Sequence, residues 1–350
     1  MTARTRAPSR RGPAFGTLLG ALVALALLAL ASAILAGFFG RAVWAFDSLS
    51  HFRAQLSVLA LGAGLLVLLP GFRVRPLDAA RLPAAAALIA GAAGLYTVLP
   101  FYVAAADAGA PPLERPVYTL LQMNLRYDAA DKTPALSRIA QLRPDVVTAQ
   151  EVTPDWRERL ETLISAYPYQ YYCGTAPQPY SVGGTAILSR RPFADETGLC
   201  QADDGFAMRR IDFNGVVASI VSEHLQWPWP HPHWYQIGAL QSVLAALPSP
   251  VLIGGDFNAA PWSGAVGTYA EAVGTRPVGG LGPTWLHRTL PAALVGPLGL
   301  PIDNILASPQ IGIVSAATGE ATASDHLPVV VRFVLPERRA SPPAVDVVAR

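Results

Sequence analysis

Apolar residues run in three long stretches at the front of the chain and in many short ones behind them. Residues 15–39 carry no charge and are rich in Leu and Ala. A helix of that length crosses the roughly 30 Å hydrocarbon core of a bilayer. Residues 54–69 and 82–105 repeat the pattern. The first of these two rises only about 24 Å as a helix. It reaches further if residues 51–53 join it and Arg53 snorkels to the interface. Three transmembrane helices, at about 15–39, 51–69 and 82–105, are therefore expected.

Beyond residue 116 the period changes. Short β-branched runs at 117–123, 146–150, 185–189, 216–224, 251–255, 302–307 and 329–334 read as strands bounded by turn residues. Helical spacing of apolar residues appears between them, at 132–142, 154–166 and 234–247. The alternation predicts one mixed α/β domain over 117–335, long enough for a substantial core. Residues 107–116, made largely of Ala, Gly and Pro, read as a linker. Residues 336–350 read as a disordered tail.

Composition and charge sharpen the membrane reading. With 52% hydrophobic and 14% charged residues, the chain is more apolar than a soluble domain of its length needs. The tail over 1–14, with Arg4, Arg6, Arg10 and Arg11, and the later loop with Arg73, Arg75 and Arg81 have the arginine excess of cytoplasmic flanks. Three crossings from inside put the domain on the extracytoplasmic face, as in a bacterial inner-membrane protein. A second run that merely dips into the bilayer would leave it in the cytoplasm. The first run exceeds a signal-peptide core of about 7–15 residues and reads as a retained anchor. An oxidising compartment would permit a disulfide between Cys173 and Cys200; two half-buried free thiols fit equally well.

Candidate chemistry collects at strand ends. Glu151 closes the buried-looking strand 145–150, where a lone carboxylate is costly unless it meets a cation. Magnesium takes oxygen ligands and keeps several waters, so Glu151 and the amide oxygen of Asn124 would suffice, with manganese the alternative ion. Asp256 and Asn258 follow an apolar strand two residues apart and project to one side of it. The carboxylate can deprotonate a water, and the amide can bind a phosphate oxygen. An Asx-turn is the competing reading of the pair. His326 precedes the last strand; as an imidazolium it could stabilise a phosphoryl group, with Asp303 holding its ring. His224 would contact phosphate or protonate the leaving oxygen. The pair His231 and His233 is a weaker metal candidate.

The ordered segments N124-L-R, A149-Q-E, G184-T-A-I-L-S-R, H224-L, G254-G-D-F-N-A-A-P, I302-D-N-I-L and S324-D-H-L-P-V resemble the endonuclease/exonuclease/phosphatase superfamily over about residues 117–333. The resemblance implies a four-layered α/β sandwich, two packed mixed sheets flanked by helices, behind an all-α membrane region. It implies metal-dependent cleavage of phosphoester bonds, with Asn124 and Glu151 as metal ligands and Asp325 near the metal. It likewise implies Asp256 as water activator with Asn258 beside it, His224 as acid or phosphate ligand, and Asp303 orienting His326. Asn304 stands where many relatives carry histidine.

Substrate class is less determined. Between residues 111 and 335, 14 Lys and Arg stand against 19 Asp and Glu, an acidic balance that disfavours a duplex nuclease. The aromatic run after His224, Q226-W-P-W-P-H-P-H-W-Y, suits a substrate pocket or the membrane interface. A membrane-anchored magnesium-dependent phosphodiesterase is the leading expectation, with the bilayer and a phosphoester as partners. An extracytoplasmic nuclease and a catalytically silent binding module are the alternatives.

Overall fold

Small residues decide how the front of the chain packs. The computed structural model describes residues 12–69, 75–103, 115–175, 184–229 and 232–337. The expected basic tail, the linker, the C-terminal tail, the loop with Arg73 and the candidate ligand His231 lie wholly or mostly outside these. Helices α1 (Gly12–Ala36), continued by a tight turn to Phe39, α3 (Arg53–Leu68) and α4 (Arg81–Tyr102) form a bundle. Gly94 lies against Ile34, Arg53 and Ser57, Gly91 against Ser57 and Leu61, and Gly64 against Ala84 and Leu88. Absent side chains at these glycines let the helices approach closely, as small residues do in membrane bundles. The pairings run α3 antiparallel to α4, and α1 parallel to α4. The chain thus traverses the bundle three times, and its two ends leave on opposite sides.

Two segments, Gly16–Phe39 and Leu77–Tyr102, are long and apolar enough to cross a bilayer. The second expected crossing differs from its sequence reading. Residues 51–52 do not extend it: a short helix α2 (Trp44–Ser50) meets α3 at a 64° bend. Local bonds from Ser50 Oγ (2.6 Å) and His51 Nδ1 (2.8 Å) to the Asp47 carbonyl close the turn there. Arg53 does not snorkel outward. It is buried, donates to the Gly37 carbonyl at 2.7 Å and stacks 4.1 Å from the Phe38 ring centre.

The remainder forms two six-stranded sheets face to face. One contains β1 (Tyr118–Asn124), β2 (Val146–Val152), β3 (Tyr169–Cys173), β4 (Gly184–Ser189), β11 (Gly312–Thr318) and β12 (Val329–Val334), in the order β11-β12-β1-β2-β4-β3. The other contains β5 (Leu199–Gln201), β6 (Phe206–Asp212), β7 (Val217–His224), β8 (Val251–Asp256), β9 (Arg276–Pro277) and β10 (Asp303–Ala307), in the order β5-β6-β7-β8-β10-β9. Only the central pairs, β1 with β2 and β7 with β8, are parallel. Helices α5 (Thr133–Leu142) and α6 (Pro154–Glu161) cover the first sheet; α7 (Pro232–Ala245) and α8 (Gly264–Val273) cover the second. This is the expected four-layered sandwich. Each parallel pair needs a crossover connection, which α5 and α7 supply.

All seven expected strands are present, and five others were not anticipated. β6 carries Arg209 and Arg210, β3 is tyrosine-rich, β11 is half-exposed, and β5 and β9 are very short, so none shows a clean apolar run. Helix α6 stops at Glu161 rather than 166, and α8 was missed because its first turns contain two glycines. Cys173 and Cys200 are joined by a disulfide. It ties β3 to β5, the edge strands of the two sheets on the same flank. Closing a loop of this length restricts the unfolded chain by about 3–4 kcal/mol in the chain-entropy account.

The bundle is docked on the domain through specific bonds. Asp47, fully buried, accepts the backbone N–H groups of Gly264 (2.6 Å) and Ala265 (3.0 Å), while Ser263 Oγ accepts that of Val266 (3.1 Å). A residue of the α1–α3 connection thereby completes the N-cap of α8 and opposes its helix dipole. Backbone atoms of Gly40 and Arg41 fill the space a side chain at Gly264 would need. Trp262 Nε1 donates to the Ser50 carbonyl at 2.7 Å, and Gln55 Nε2 to that of Gly299 at 3.0 Å. The last carbonyls of α4, on Pro100 and Phe101, accept from Gly280 (3.0 Å) and Gly282 (2.8 Å).

Candidate active site

Strand register assembles the site. In the parallel pair β1–β2, Asn124 lies opposite Gln150 with Glu151 next along. In the other sheet His224 lies opposite Asp256, and Asp256 opposite Asp303, so three ionisable residues stand in a row across β7, β8 and β10. The loop before β12 brings His326 over this row. Side chains in the inter-sheet space grade from apolar (Leu120, Ile220, Leu252, Ile305) to polar (Gln122, Gln150, Ser222) as the strands approach the site. A cavity of about 800 Å³ opens there, with Glu151, His224, Asp256, Asn258, Asp325 and His326 in its wall.

Local backbone strain aims some of these groups. Glu151, Asn258 and Arg126 are non-glycine residues with φ of 59°, 47° and 59°, and all three line the cavity. Left-handed conformations at ordinary residues cost energy and concentrate at functional sites. For Glu151 the cause is visible: the β2–β4 register shifts between Ala149 and Val152, a bulge that turns its carboxylate into the site.

The carboxylates are held by a small set of partners. Asn124 Nδ2 donates to Glu151 Oε1 and to Asp256 Oδ2, each at 2.9 Å. The Tyr127 N–H donates to Glu151 Oε2 at 2.7 Å, and the Asn258 N–H to Asp256 Oδ1 at 2.8 Å. Asn258 Nδ2 is spent on the Leu225 carbonyl at 2.8 Å, which ties the β7 and β8 loops together. His326 Nδ1 stands 2.9 Å from Asp303 Oδ2, with its Nε2 3.7 Å from Asp256 Oδ2. His224 Nε2 approaches the same oxygen at 3.8 Å. Asp256 thus sits between two imidazoles. Burial raises its pKa to about 6, against the downward pull of His326 and His224. Burial would lower that of His326, but the Asp303 and Asp256 carboxylates outweigh it and raise it to about 10. A base close to neutrality beside a cationic ring is an arrangement suited to proton transfer and phosphoryl stabilisation.

A hard cation fits one side of this site. Glu151, His224 and Asp256 offer ligand atoms within 4.8 Å of one another. Asn124, expected to offer its amide oxygen, instead places its amide nitrogen between the two carboxylates, while its Oδ1 accepts from the Arg126 N–H at 2.9 Å. Oxygen-rich donors of this kind suit magnesium, and the imidazole in reach also tolerates manganese. Asp325 lines the cavity, but its carboxylate accepts from Trp285 Nε1 at 3.2 Å and belongs to neither of the ligand clusters among the described residues. Asn304 lies behind the site, donating to the Ala259 (2.8 Å) and Ile302 (3.0 Å) carbonyls. His233 is buried away from the site, 3.9 Å from the Asp47 carboxylate.

A model of the endonuclease/exonuclease/phosphatase family matches residues 121–326, most of the domain and every site residue named above. The chain belongs to that family. It is therefore an enzyme of the metal-dependent phosphoesterase and nuclease class. No curated protein matches the chain. Solved structures resemble its fold. A family member from Beutenbergia cavernae is 19% identical, over 63% of this chain and 72% of its own, with a TM-score of 0.49. Sphingomyelinase C from Streptomyces griseocarneus is 17% identical over 62% and 99%, with a TM-score of 0.45. An AP endonuclease from Archaeoglobus fulgidus is 16% identical over 62% and 99%, with a TM-score of 0.49.

Two buried residues behind the phosphoesterase site escaped the sequence reading. Gln122 Nε2 donates to Asp303 Oδ1 at 3.0 Å and to Gln150 Oε1 at 2.8 Å, so it fixes the carboxylate that fixes His326. Its signal was available: Gln122 and Asn124 share one face of β1, and a polar residue on an inward face needs a partner. Glu223 points the other way, under α8, where Tyr269 Oη donates to it at 2.5 Å and the His224 N–H at 3.2 Å. Burial raises its pKa well above the ordinary glutamate value, against the pull of the two donated bonds.

Gln122→Leu removes a bond to a charged group, about 1.5 kcal/mol or more. Steady-state kinetics should show kcat falling about tenfold or more with KM unchanged; a fall in stability alone would deny it a positioning role. Because Glu223 binds its proton more tightly folded than unfolded, its stabilising contribution is full below pH 4.5 and fades as pH rises. Denaturant titrations should therefore show Glu223→Gln gaining stability relative to the parent as pH rises above 4.5. Parallel curves would mean that folding leaves its pKa unshifted.

Proposed function

We propose that this protein is a membrane-anchored, magnesium-dependent phosphodiesterase whose catalytic domain faces away from the cytoplasm. The observation that carries the catalytic half is Asp256, buried between His224 and His326 and bridged by Asn124 to Glu151. Asp256 takes the proton of a water, whose oxygen bonds to phosphorus. The His326 imidazolium, oriented by Asp303, donates to a phosphoryl oxygen as negative charge grows on it. His224 protonates the ester oxygen that leaves. Magnesium held by the Glu151 carboxylate, with that of Asp256 in reach and the Asn124 oxygen available once its amide turns over, would supply further charge stabilisation at the phosphoryl group.

Three observations support the location. Two segments have the length and apolarity of transmembrane helices, and α3 runs back between them. An alternating bundle of this kind sends the N-terminal end and the domain to opposite faces. Arginines before the first segment favour a cytoplasmic start, and a disulfide inside the domain favours an oxidising compartment.

Full-length protein in detergent should hydrolyse a soluble chromogenic phosphodiester when magnesium is present and lose that activity to a chelator. Asp256→Ala and His326→Ala should each lower kcat by about a hundredfold or more. Variants as active as the parent would sink the reading. For topology, a reporter active only outside the cytoplasm, fused after Phe333, should be active; silence there, with activity of a cytoplasmic reporter, reverses the orientation.

A further inference from the structure

The end of the sandwich that carries the catalytic residues is also the end seated on the helical bundle. Asp256 and His224 close β8 and β7, and Asp303 opens β10, which runs the opposite way. Contacts with the bundle come from the N-termini of α7 and α8, which follow those same strand ends, and from the segment that leads into β10. Trp44 of α2 stacks on Trp234 at 5.4 Å and meets Tyr235 edge-on at 5.5 Å. Asp47 caps α8, and Gln55 holds Gly299. The cavity mouth therefore lies at the level where the bundle ends.

Two loops border the mouth on that side. Residues 225–235 contain no Asp, Glu, Lys or Arg, and neither do residues 289–302, which include the single-turn helix α9 (Val295–Leu298). Of the nine large apolar or aromatic side chains that the domain exposes among the described residues, five sit here: Trp227, Trp229, Tyr235, Leu290 and Leu298. Such clustering is unusual for a surface in contact with water alone. The adjoining end of the bundle exposes Phe38, Phe39, Trp44, Phe46 and Phe52, the aromatic composition of a bilayer–water boundary. Trp227 and Trp285 form an edge-to-face pair at 6.0 Å on the cavity wall, which joins the first loop to the site itself.

We infer that the loops 226–229 and 289–298 lie in the headgroup layer of the bilayer that holds the helices, and that the site takes the phosphodiester of an amphiphile from that leaflet. This rests on the phosphodiesterase reading above. Water adds across one P–O ester bond: its oxygen joins phosphorus, the ester oxygen departs with a proton, and a phosphomonoester and an alcohol result.

The full chain is reconstituted in vesicles of phosphatidylcholine and phosphatidylglycerol, with an environment-sensitive fluorophore on Leu290→Cys or, at the opposite end of the sandwich, on Gln310→Cys. A lipid-borne quencher should quench the first label several-fold more than the second; equal quenching overturns the placement of the loops. In the activity arm, phosphate-containing product released from the vesicle phospholipids is compared with hydrolysis of a soluble chromogenic phosphodiester. Leu290→Asp with Leu298→Asp should lower the first rate by about tenfold or more and leave the second unchanged. Equal losses, or a parent enzyme that cleaves the soluble diester or DNA but not the vesicle lipid, overturn the amphiphile substrate while sparing the metal-dependent site. If the parent cleaves nothing and Asp256→Ala matches it, the phosphodiesterase reading falls, and the amphiphile substrate with it; the quenching arm still decides where the loops lie.

Discussion

Several ionisable groups cannot be buried together unless each is matched, and this requirement shapes the whole domain. Glu151 and Asp256 line one cavity with Asp303 buried just behind it, and water does little to separate their charges. The fold answers with two imidazoles, one bridging amide and a set of backbone N–H groups, all delivered by strand register. Parallel pairing of β1 with β2 and of β7 with β8 matters because it brings strand ends, with their loops, to one edge of the sandwich. The polar seam of Gln122, Gln150 and Ser222 then links the sheets where an apolar core would leave Asp303 Oδ1 without a donor. What remains incompletely neutralised, between Glu151 and Asp256, is a place where a cation could be held.

The same logic extends to the helical region. Asp47 is a buried carboxylate too, and it is matched by the first N–H groups of α8 rather than by a cation. That helix begins eight residues after Asp256, so the bundle and the catalytic loop are fastened to neighbouring turns of chain. Gly264 lets its backbone meet that of Gly40 and Arg41 directly, and Gly267 leaves room for the Arg41 guanidinium. Nothing in this contact resembles a domain dangling from a linker.

Much of this was legible in the sequence, because the side chains of the candidate site sit in short motifs at the ends of strongly apolar strands. G254-G-D-F-N and S324-D-H announce themselves locally, and their register across strands follows from the pairing of the runs that carry them. Features that depend on tertiary neighbours were not legible. Gln122, on the same face of its strand as Asn124, signals that it needs a partner, but nothing local says that the partner is Asp303, 181 positions away. Glu223 reads as a surface acid until α8 covers it. Asp47 looks like a polar loop residue, and Arg53 like a snorkelling one, because nothing local reveals that each finds a buried partner. The bend between α2 and α3 was missed for a related reason: composition measures apolarity, and the side-chain bonds that close a turn leave it unchanged.

Fastening by Asp47, Gln55, Trp262 and the last carbonyls of α4 leaves the domain little freedom to swing. A site so fixed keeps a constant height above the end of the helical bundle. On the membrane-anchored reading, it would survey its surroundings by lateral drift. Its working rate would then follow the number of substrate molecules per unit area, so diluting them with inert neighbours would slow it even at constant bulk concentration.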